Sequence, residues 1–360
     1  MRNLGIIGVG IMLTLLVSCG SEPNGMEDNF DRSKILNNVT DNIILPAWSD
    51  LVDHTVDLQS KFEAFEVSSD ETTLTALKSS WLQARLSWKA CEPFKFGPLE
   101  SRGLENAVDL WPVSTSGIET AISNYNGSDS YLTQIGSDRK GFGSIEYLLF
   151  ATSDAETLTA MADANRKAYL GLLIDELAGV AATIQSDWTG GYADEFRSDL
   201  GNDAGASTTL MANELIYHVE VTKNYRLETP LGIRSGSDVP LLETLESYYA
   251  HESKALIGAS LDITLSIFTG DQGSGFDDYL DELNIDDGEG KALSEVIVEQ
   301  IQLCQSDLAA INGTLAEALE SDKTAVEKLY VDLKELTLLI KTDMMSQLGL
   351  LVVFSDNDGD

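Results

Sequence analysis

Residues 324–348 read TAVEKLYVDLKELTLLIKTDMMSQL. Within them Val326, Leu329, Leu333, Leu336, Ile340, Met344 and Leu348 recur at three- and four-residue steps. That spacing puts apolar side chains on one face of an α-helix. The same rhythm runs through Leu293, Ile297, Ile301, Cys304, Leu308, Ile311 and Leu315. A third stripe, Leu173, Leu177, Val180 and Ile184, follows Ser153-Asp154-Ala155-Glu156, a capping box expected to open its helix. Further helices are expected over about 30–60, 71–92, 206–227 and 239–268. The chain holds only 7 Pro, none between Pro112 and Pro230 or after Pro240, which leaves room for long helices. An all-β sandwich would need a turn signal about every 8–12 residues, and those are missing. The reading is all-α, in two helical bundles with a junction near residues 188–206. There Thr189-Gly190-Gly191-Tyr192 and Gly201 to Gly205 punctuate the chain.

Composition narrows the function. Among 360 residues, Asp and Glu number 59 against 23 Lys and Arg, a formal net charge of -36. A nucleic-acid backbone is excluded as partner, because phosphate binding needs a positive surface. An anionic membrane face is disfavoured for the same reason. At 43% hydrophobic the chain can bury a core, so it is not a disordered acidic tail.

The N-terminus reads as an address. Arg2 precedes an apolar run from Leu4 to Val17, too short to span a bilayer, which ends in Leu16-Val17-Ser18-Cys19-Gly20. This resembles the bacterial lipobox, in which the cysteine is acylated and becomes the first residue. The expectation is a signal peptide over 1–18, a lipidated Cys19 and a polar tether over 19–29. The first bundle then covers 30–187, and the second bundle with an acidic tail covers 188–360. Gly20-Ser21 lacks the aspartate that marks inner-membrane retention, which points to the outer membrane of a Gram-negative cell. Cys91 and Cys304 remain; two buried thiols are preferred to one disulfide.

Chemistry is concentrated in the first half. Trp81, Arg85, Trp88 and Glu92 are spaced four, three, four, so they share a helix face with Leu74 and Leu77. Charges on an apolar face are costly unless paired. They form either a polar site set into the bundle or a structural ion pair. A Pro- and Gly-rich stretch follows, opening a functional loop assigned to residues 93–146. At its end, Gly141-Phe142-Gly143-Ser144-Ile145-Glu146 places an acid in an apolar run. The alternative for Glu146 is a glutamate favoured by the helix dipole.

These residues carry a resemblance. Trp81…Arg85…Trp88…Glu92…Phe94-Lys95-Phe96-Gly97-Pro98, Leu110-Trp111-Pro112, Gly141…Ile145-Glu146-Tyr147-Leu148-Leu149, and Asp343…Leu348-Gly349 with Phe354 to Asp360 resemble the imelysin family, in its order. Tyr249…Ser253 before Gly270 resembles its second-half signature. The resemblance implies two similar four-helix bundles, a site at their interface and an envelope protein linked to iron uptake. It also implies a family once classed with metallopeptidases for a Gly-x-His-x-x-Glu motif. Here that histidine is Gly143, while Gly141 and Glu146 are kept.

Three functions follow. The preferred one is a non-catalytic binding protein whose site gathers Arg85, Glu92, Trp111, Gly141, Gly143, Ser144, Glu146 and Ser253. Arg85 would orient an anionic group, Trp111 would wall the pocket, and Glu146 and Glu92 would offer oxygens to a divalent metal or iron. Its partners would be the bilayer, through Cys19, and an envelope iron-uptake protein. The second is a metallopeptidase using Glu146, which Gly143 disfavours. The third is a scaffold that only docks an envelope partner. A zinc enzyme usually takes about three protein ligands, often His. His54, His218 and His251 all read as ordinary helical polar residues. The tail Asp356, Asp358 and Asp360 alternates like the start of a calcium loop, but by itself reads as solvated. The resemblance suggests that it docks back on the bundle.

Overall fold

The stripe residues are all buried, but the stripe from Leu293 is helical only as far as Leu308: its helix ends at Ala310, Ile311 is extended and Leu315 opens a separate short helix. In the computed structural model, residues 30–353 except Asp238 are described, and they are helical with no strand beyond one isolated bridge, Asp286 to Ala292. Eight helices position the site. They are α1 (Leu45–Val67), α2 (Glu71–Cys91), α3 (Gly141–Phe150), α4 (Ala164–Asp187), α5 (Ser207–Val221), α6 (Ser253–Thr269), α7 (Leu293–Ala310) and α8 (Thr324–Leu338). α1 packs on α2 and α4, and α3 on α2 and α4. In the second half α7 packs on α6 and α8, and α5 on α6 and α8. The two sets of four meet chiefly where α2 lies against α6. The described residues from Asp31 onward form one compact unit.

Local chemistry explains the boundaries. α2 opens on a reciprocal cap: the Thr73 N–H donates to Asp70 Oδ1 at 3.0 Å, and the Asp70 N–H donates to Thr73 Oγ1 at 3.2 Å. Trp48, Trp81, Trp88 and Trp188 fill the interior with no exposed surface. Cys91 and Cys304 are buried free thiols, as preferred from the sequence.

Three further expectations change and one holds. Ser153 opens only the short helix Asp154–Ala160, and the 173–184 stripe belongs to α4, which Asp163 caps separately. The helix expected over 30–60 is present: helical backbone runs unbroken from Ser33 to Val67, with a π turn at Thr40–Ile44 just before Pro46 in the first turn of α1. Residues 94–112 contain two short helices, Pro98–Arg102 and Glu105–Val108. Residues 239–252 are turns rather than helix: Ser247 and His251 take φ of 59° and 61°, which a helix excludes. The tail acids lie outside the described residues, as do Cys19 and the signal segment. The chain just before the tail is held down: Asn213 Nδ2 donates to the Leu351 carbonyl at 2.8 Å, and Asn213 Oδ1 accepts from the Val353 N–H at 2.9 Å.

Candidate functional site

One helix face supplies half of a buried charge cluster. Arg85 and Lys89 on the inner side of α2, and Glu92 in the 3-10 turn Glu92–Phe94 that directly continues it, stand at i, i+4 and i+7, and each is less than 5% exposed. The other half arrives from distant segments. Asp109 comes from the loop after α2, Arg226 from the π turn Thr222–Glu228 that prolongs α5, and Glu246 from the turns before α6. A π turn adds a residue to the helical repeat, and such turns recur at functional sites.

The partners close on one another. Arg85 Nη1 lies 2.7 Å from Asp109 Oδ1, and Arg85 Nη2 donates to Glu246 Oε1 at 2.6 Å. Lys89 pairs with Glu246 and lies 3.3 Å from Glu92 Oε2. Arg226 Nε donates to Glu246 Oε2 at 2.6 Å, while its Nη2 reaches both oxygens of Glu92 at 2.6 and 2.7 Å. Trp88 Nε1 donates to Asp109 Oδ2 at 2.9 Å. Three buried cations thus face three carboxylates, with the half-buried Lys95 as a fourth at 3.7 Å from Glu92 Oε1; such pairing is the condition under which buried charge is tolerated. Burial alone would raise the Glu92 carboxyl, yet Arg226, Lys89 and Lys95 hold it well below the usual range. Asp109 is likewise held down by Arg85 and Lys89 against its burial. His218 Nδ1 sits 3.4 Å from Glu92 Oε2, but burial, Arg226 and Lys89 push the ring down to about 3, so it is neutral.

Glu146 stands beside this cluster, not in it. Its Oε1 accepts from the Ala250 N–H at 2.9 Å, and Tyr249 donates a second backbone bond. Among the described residues no cation reaches ion-pair distance. Burial therefore pushes its carboxyl up to about 7. Glu146 and Gly143 line a cavity of about 230 Å³ with Trp111, Ser247, Tyr248 and Tyr249. Trp111 also lines a second cavity, of about 280 Å³, with Glu92, Lys95 and Asp109. Its ring lies 5.4 Å from the Arg226 guanidinium and 5.9 Å from Lys89 Nζ.

The residues named from sequence divide accordingly. Arg85 and Glu92 meet through Glu246 and Arg226. Arg85 is committed to the protein's own Asp109 and Glu246, so the role of orienting an outside anion gives way to an internal one. Ser253 Oγ donates to the Glu246 carbonyl and so fixes that segment. Glu146, Gly143 and Trp111 share the cavity. Gly141 has φ 68°, and a Cβ there would come within 2.2 Å of the Val108 carbonyl oxygen, so its role is conformational. Ser144 is fully buried, with an Oγ that has no hydrogen-bond partner.

Sequence reasoning missed Lys89, Asp109, Arg226, Glu246 and His218. Lys89 carried a signal, being four residues after Arg85 on the same face. His218 is not an ordinary surface residue of a helix: it is 3% exposed and faces Glu92. A metal does not fit the two carboxylates proposed for it. Both Glu92 oxygens are taken by Arg226, and no group of three or more His, Cys, Asp or Glu among the described residues is placed to hold an ion.

Two four-helix sets joined across a neutralised buried ion cluster define an all-α bundle protein. Residues 44–340 match the Imelysin family model, and the chain belongs to that family. The fold is similar to the crystal structure of a candidate iron-regulated protein A precursor from Parabacteroides distasonis, with TM-score 0.75 and 18% identity over 92% of this chain and 97% of that one. It is also similar to an imelysin-like protein from Psychrobacter arcticum, with TM-score 0.73 and 20% identity over 90% and 97%. In sequence, 152 residues are 29% identical to Iron-regulated protein A of Synechococcus elongatus. That match spans 42% of this chain and only 39% of the curated relative.

Proposed function

We propose that this protein is a non-catalytic binding protein of the cell envelope, anchored in the outer membrane by lipid on Cys19 and serving iron handling. Its ligand enters the cavity beside Glu146. The observation that carries the reading is the cavity's position. Its walls come from α3 on one side and from residues 245–249, which lead into α6, on the other. Pockets between helices of a bundle, with few polar groups in an apolar wall, are where small ligands bind. Glu146 supplies the polar group, and Trp111, Tyr248 and Tyr249 supply aromatic wall. The link to iron is drawn from the names of the relatives. The non-catalytic assignment rests on Gly143, which removes the imidazole of the family motif, and on the engagement of Glu92.

Ligand-observed magnetic resonance with a mixed small-molecule library tests the site. Compounds are expected to bind the purified protein and to lose binding in Gly143→Val, whose side chain would intrude on Val113 and the cavity. Binding unchanged by that substitution would place the ligand elsewhere. Peptide hydrolysis abolished by Glu146→Gln would replace this reading with an enzyme.

A further inference from the structure

We infer that the Glu146 cavity selects a small primary ammonium ion, bound between the Glu146 carboxylate, the Ser247 hydroxyl and the aromatic wall of Trp111, Tyr248 and Tyr249. The inference rests on the cavity being the binding site, and adds the ligand's chemical class.

Four observations converge on a cation with N–H donors. First, Glu146 is 5% exposed and has no cationic partner among the described residues, its hydrogen bonds coming from backbone N–H groups. A buried carboxylate without a counter-charge gains most from a ligand that brings one. Second, Ser247 is 4% exposed, lines the same cavity and has an Oγ without any hydrogen-bond partner. A buried unpaired hydroxyl is costly, so an ammonium hydrogen that it can accept offsets that cost. Ser247 is held at φ 59°, a conformation rare for a residue other than glycine, so its backbone position in the cavity wall is imposed by the surrounding structure. Third, the ionisable groups lining the cavity are Glu146, Tyr248, Tyr249 and the exposed Glu243, with no Lys, Arg or His. The nearby cations Arg85, Lys89 and Arg226 are matched by Asp109, Glu92 and Glu246, and Lys95, also paired with Glu92, lines the second cavity and not this one, so the positive field reaching a visitor is small. Fourth, aromatic faces favour ammonium groups and also cover a short alkyl chain.

Size sets the rest. At about 230 Å³ the cavity lies below the roughly 300–1,000 Å³ of sites for drug-sized ligands. It suits an alkylamine of a few carbons rather than a siderophore or a peptide.

Titration calorimetry with n-butylammonium and with its neutral counterpart n-butanol tests this on the whole chain in detergent. The ammonium is expected to bind at one site, and butanol to bind at least about tenfold more weakly. Loss of a charge-assisted hydrogen bond predicts a weakening of about ten- to hundredfold in Glu146→Gln. Ser247→Gly suits the positive φ and so keeps the fold while removing the hydroxyl; it should weaken binding by several-fold. Equal binding of butanol and butylammonium, or unchanged ammonium binding in Glu146→Gln, overturns the ammonium assignment while leaving the cavity as a site. Failure of every compound in the library to bind overturns the cavity itself, and this inference with it.

Discussion

Arg226 and Glu92, 134 residues apart in sequence, meet through paired hydrogen bonds of 2.6 and 2.7 Å in the buried seam between the two helix sets. The same guanidinium holds Glu246 through Nε at 2.6 Å and Thr222 through Nη1 at 2.7 Å. One side chain thus ties α2, the π turn after α5 and the segment before α6 into a single cluster. Truncation leaves two carboxylates buried without their main counter-charge. Arg226→Ala should therefore cost ~3–5 kcal/mol, read as a lower denaturant midpoint. Arg226→Lys has one nitrogen and cannot hold Glu92, Glu246 and Thr222 at once as the guanidinium does, so it should recover only part of the loss. Replacing Arg226 and Glu92 together by apolar residues should cost less than the sum of the two single changes, since neither charge is then stranded. A fully additive double mutant would show that the pair does not act as a unit.

The two buried groups flanking the cluster predict opposite pH effects. The Glu146 carboxyl is raised from 4.5 to about 7, so the folded state holds this proton where the unfolded state has lost it. Its contribution is present at low pH and lost as pH rises between those values, a change of roughly 3 kcal/mol. His218 is lowered from 6.5 to about 3, so the unfolded state takes up its proton first and stability falls as pH drops below the unfolded value. Between the unfolded values of the two groups, 4.5 and 6.5, these slopes oppose and largely cancel, so the unmodified protein should be nearly flat there. Glu146→Gln should unmask a rise in stability across that window, and Glu146→Leu should be neutral or stabilising at pH 8. A profile that stays flat in Glu146→Gln would show that Glu146 does not supply the opposing slope.

The helices were legible because each buries one face, and the periodicity of an amphipathic helix is written in its own residues. The stripe from Leu293 to Leu308 and that from Val326 to Leu336 are buried as the spacing requires. Arg85 and Glu92 were legible as charges on the apolar side of such a stripe. Their partners were not, because pairing across 134 residues depends on how helices pack, which no local window contains. Glu246 was further hidden by an expected helix over 239–268. The positive φ at Ser247 and His251 has no glycine to announce it. Asp109 sits in a loop whose turn residues are visible but whose path is not. Glu146 was legible as an acid out of place, yet its nearness to residues 247–250 was not.

The anchor is testable without the structure. If Leu16-Val17-Ser18-Cys19 is a lipobox, the mature chain begins at an acylated cysteine, and two or three acyl chains hold a protein on a membrane where one does not. Cys19→Ala should move the protein from the membrane to the soluble fraction on cell fractionation. Mass spectrometry of the N-terminal peptide should find acyl chains on Cys19. Unchanged membrane partition together with an unmodified cysteine would sink the anchor and the outer-membrane assignment.

Gly141 and Gly143 are two residues apart but make different demands, and substitution separates them. At Gly141 the backbone has φ 68°, and an added Cβ would meet the Val108 carbonyl oxygen at 2.2 Å and the Ala107 carbonyl oxygen at 2.8 Å. Backbone cannot yield as a side chain can, so Gly141→Ala should cost several kcal/mol, on the order of 3 or more, through strain plus collision. Gly143 lies inside α3 with helical backbone. An added Cβ would meet only the Val113 Cγ1 at 2.8 Å and the Leu110 carbonyl oxygen at 3.4 Å. Helix propensity favours alanine there by up to about 1 kcal/mol, and crowding of Val113 opposes it by about 1–3 kcal/mol, so Gly143→Ala should be mildly destabilising. Val113→Ala should then rescue Gly143→Ala but not Gly141→Ala. The same relief is needed before Gly143→His can place an imidazole beside Glu146. Even that double variant, Val113→Ala with Gly143→His, gives only two ligands, so neither it nor the unmodified chain is expected to show chelator-sensitive peptide hydrolysis. Hydrolysis by the unmodified chain that a chelator abolishes and Glu146→Gln removes would show that Gly143 does not disable the family's chemistry.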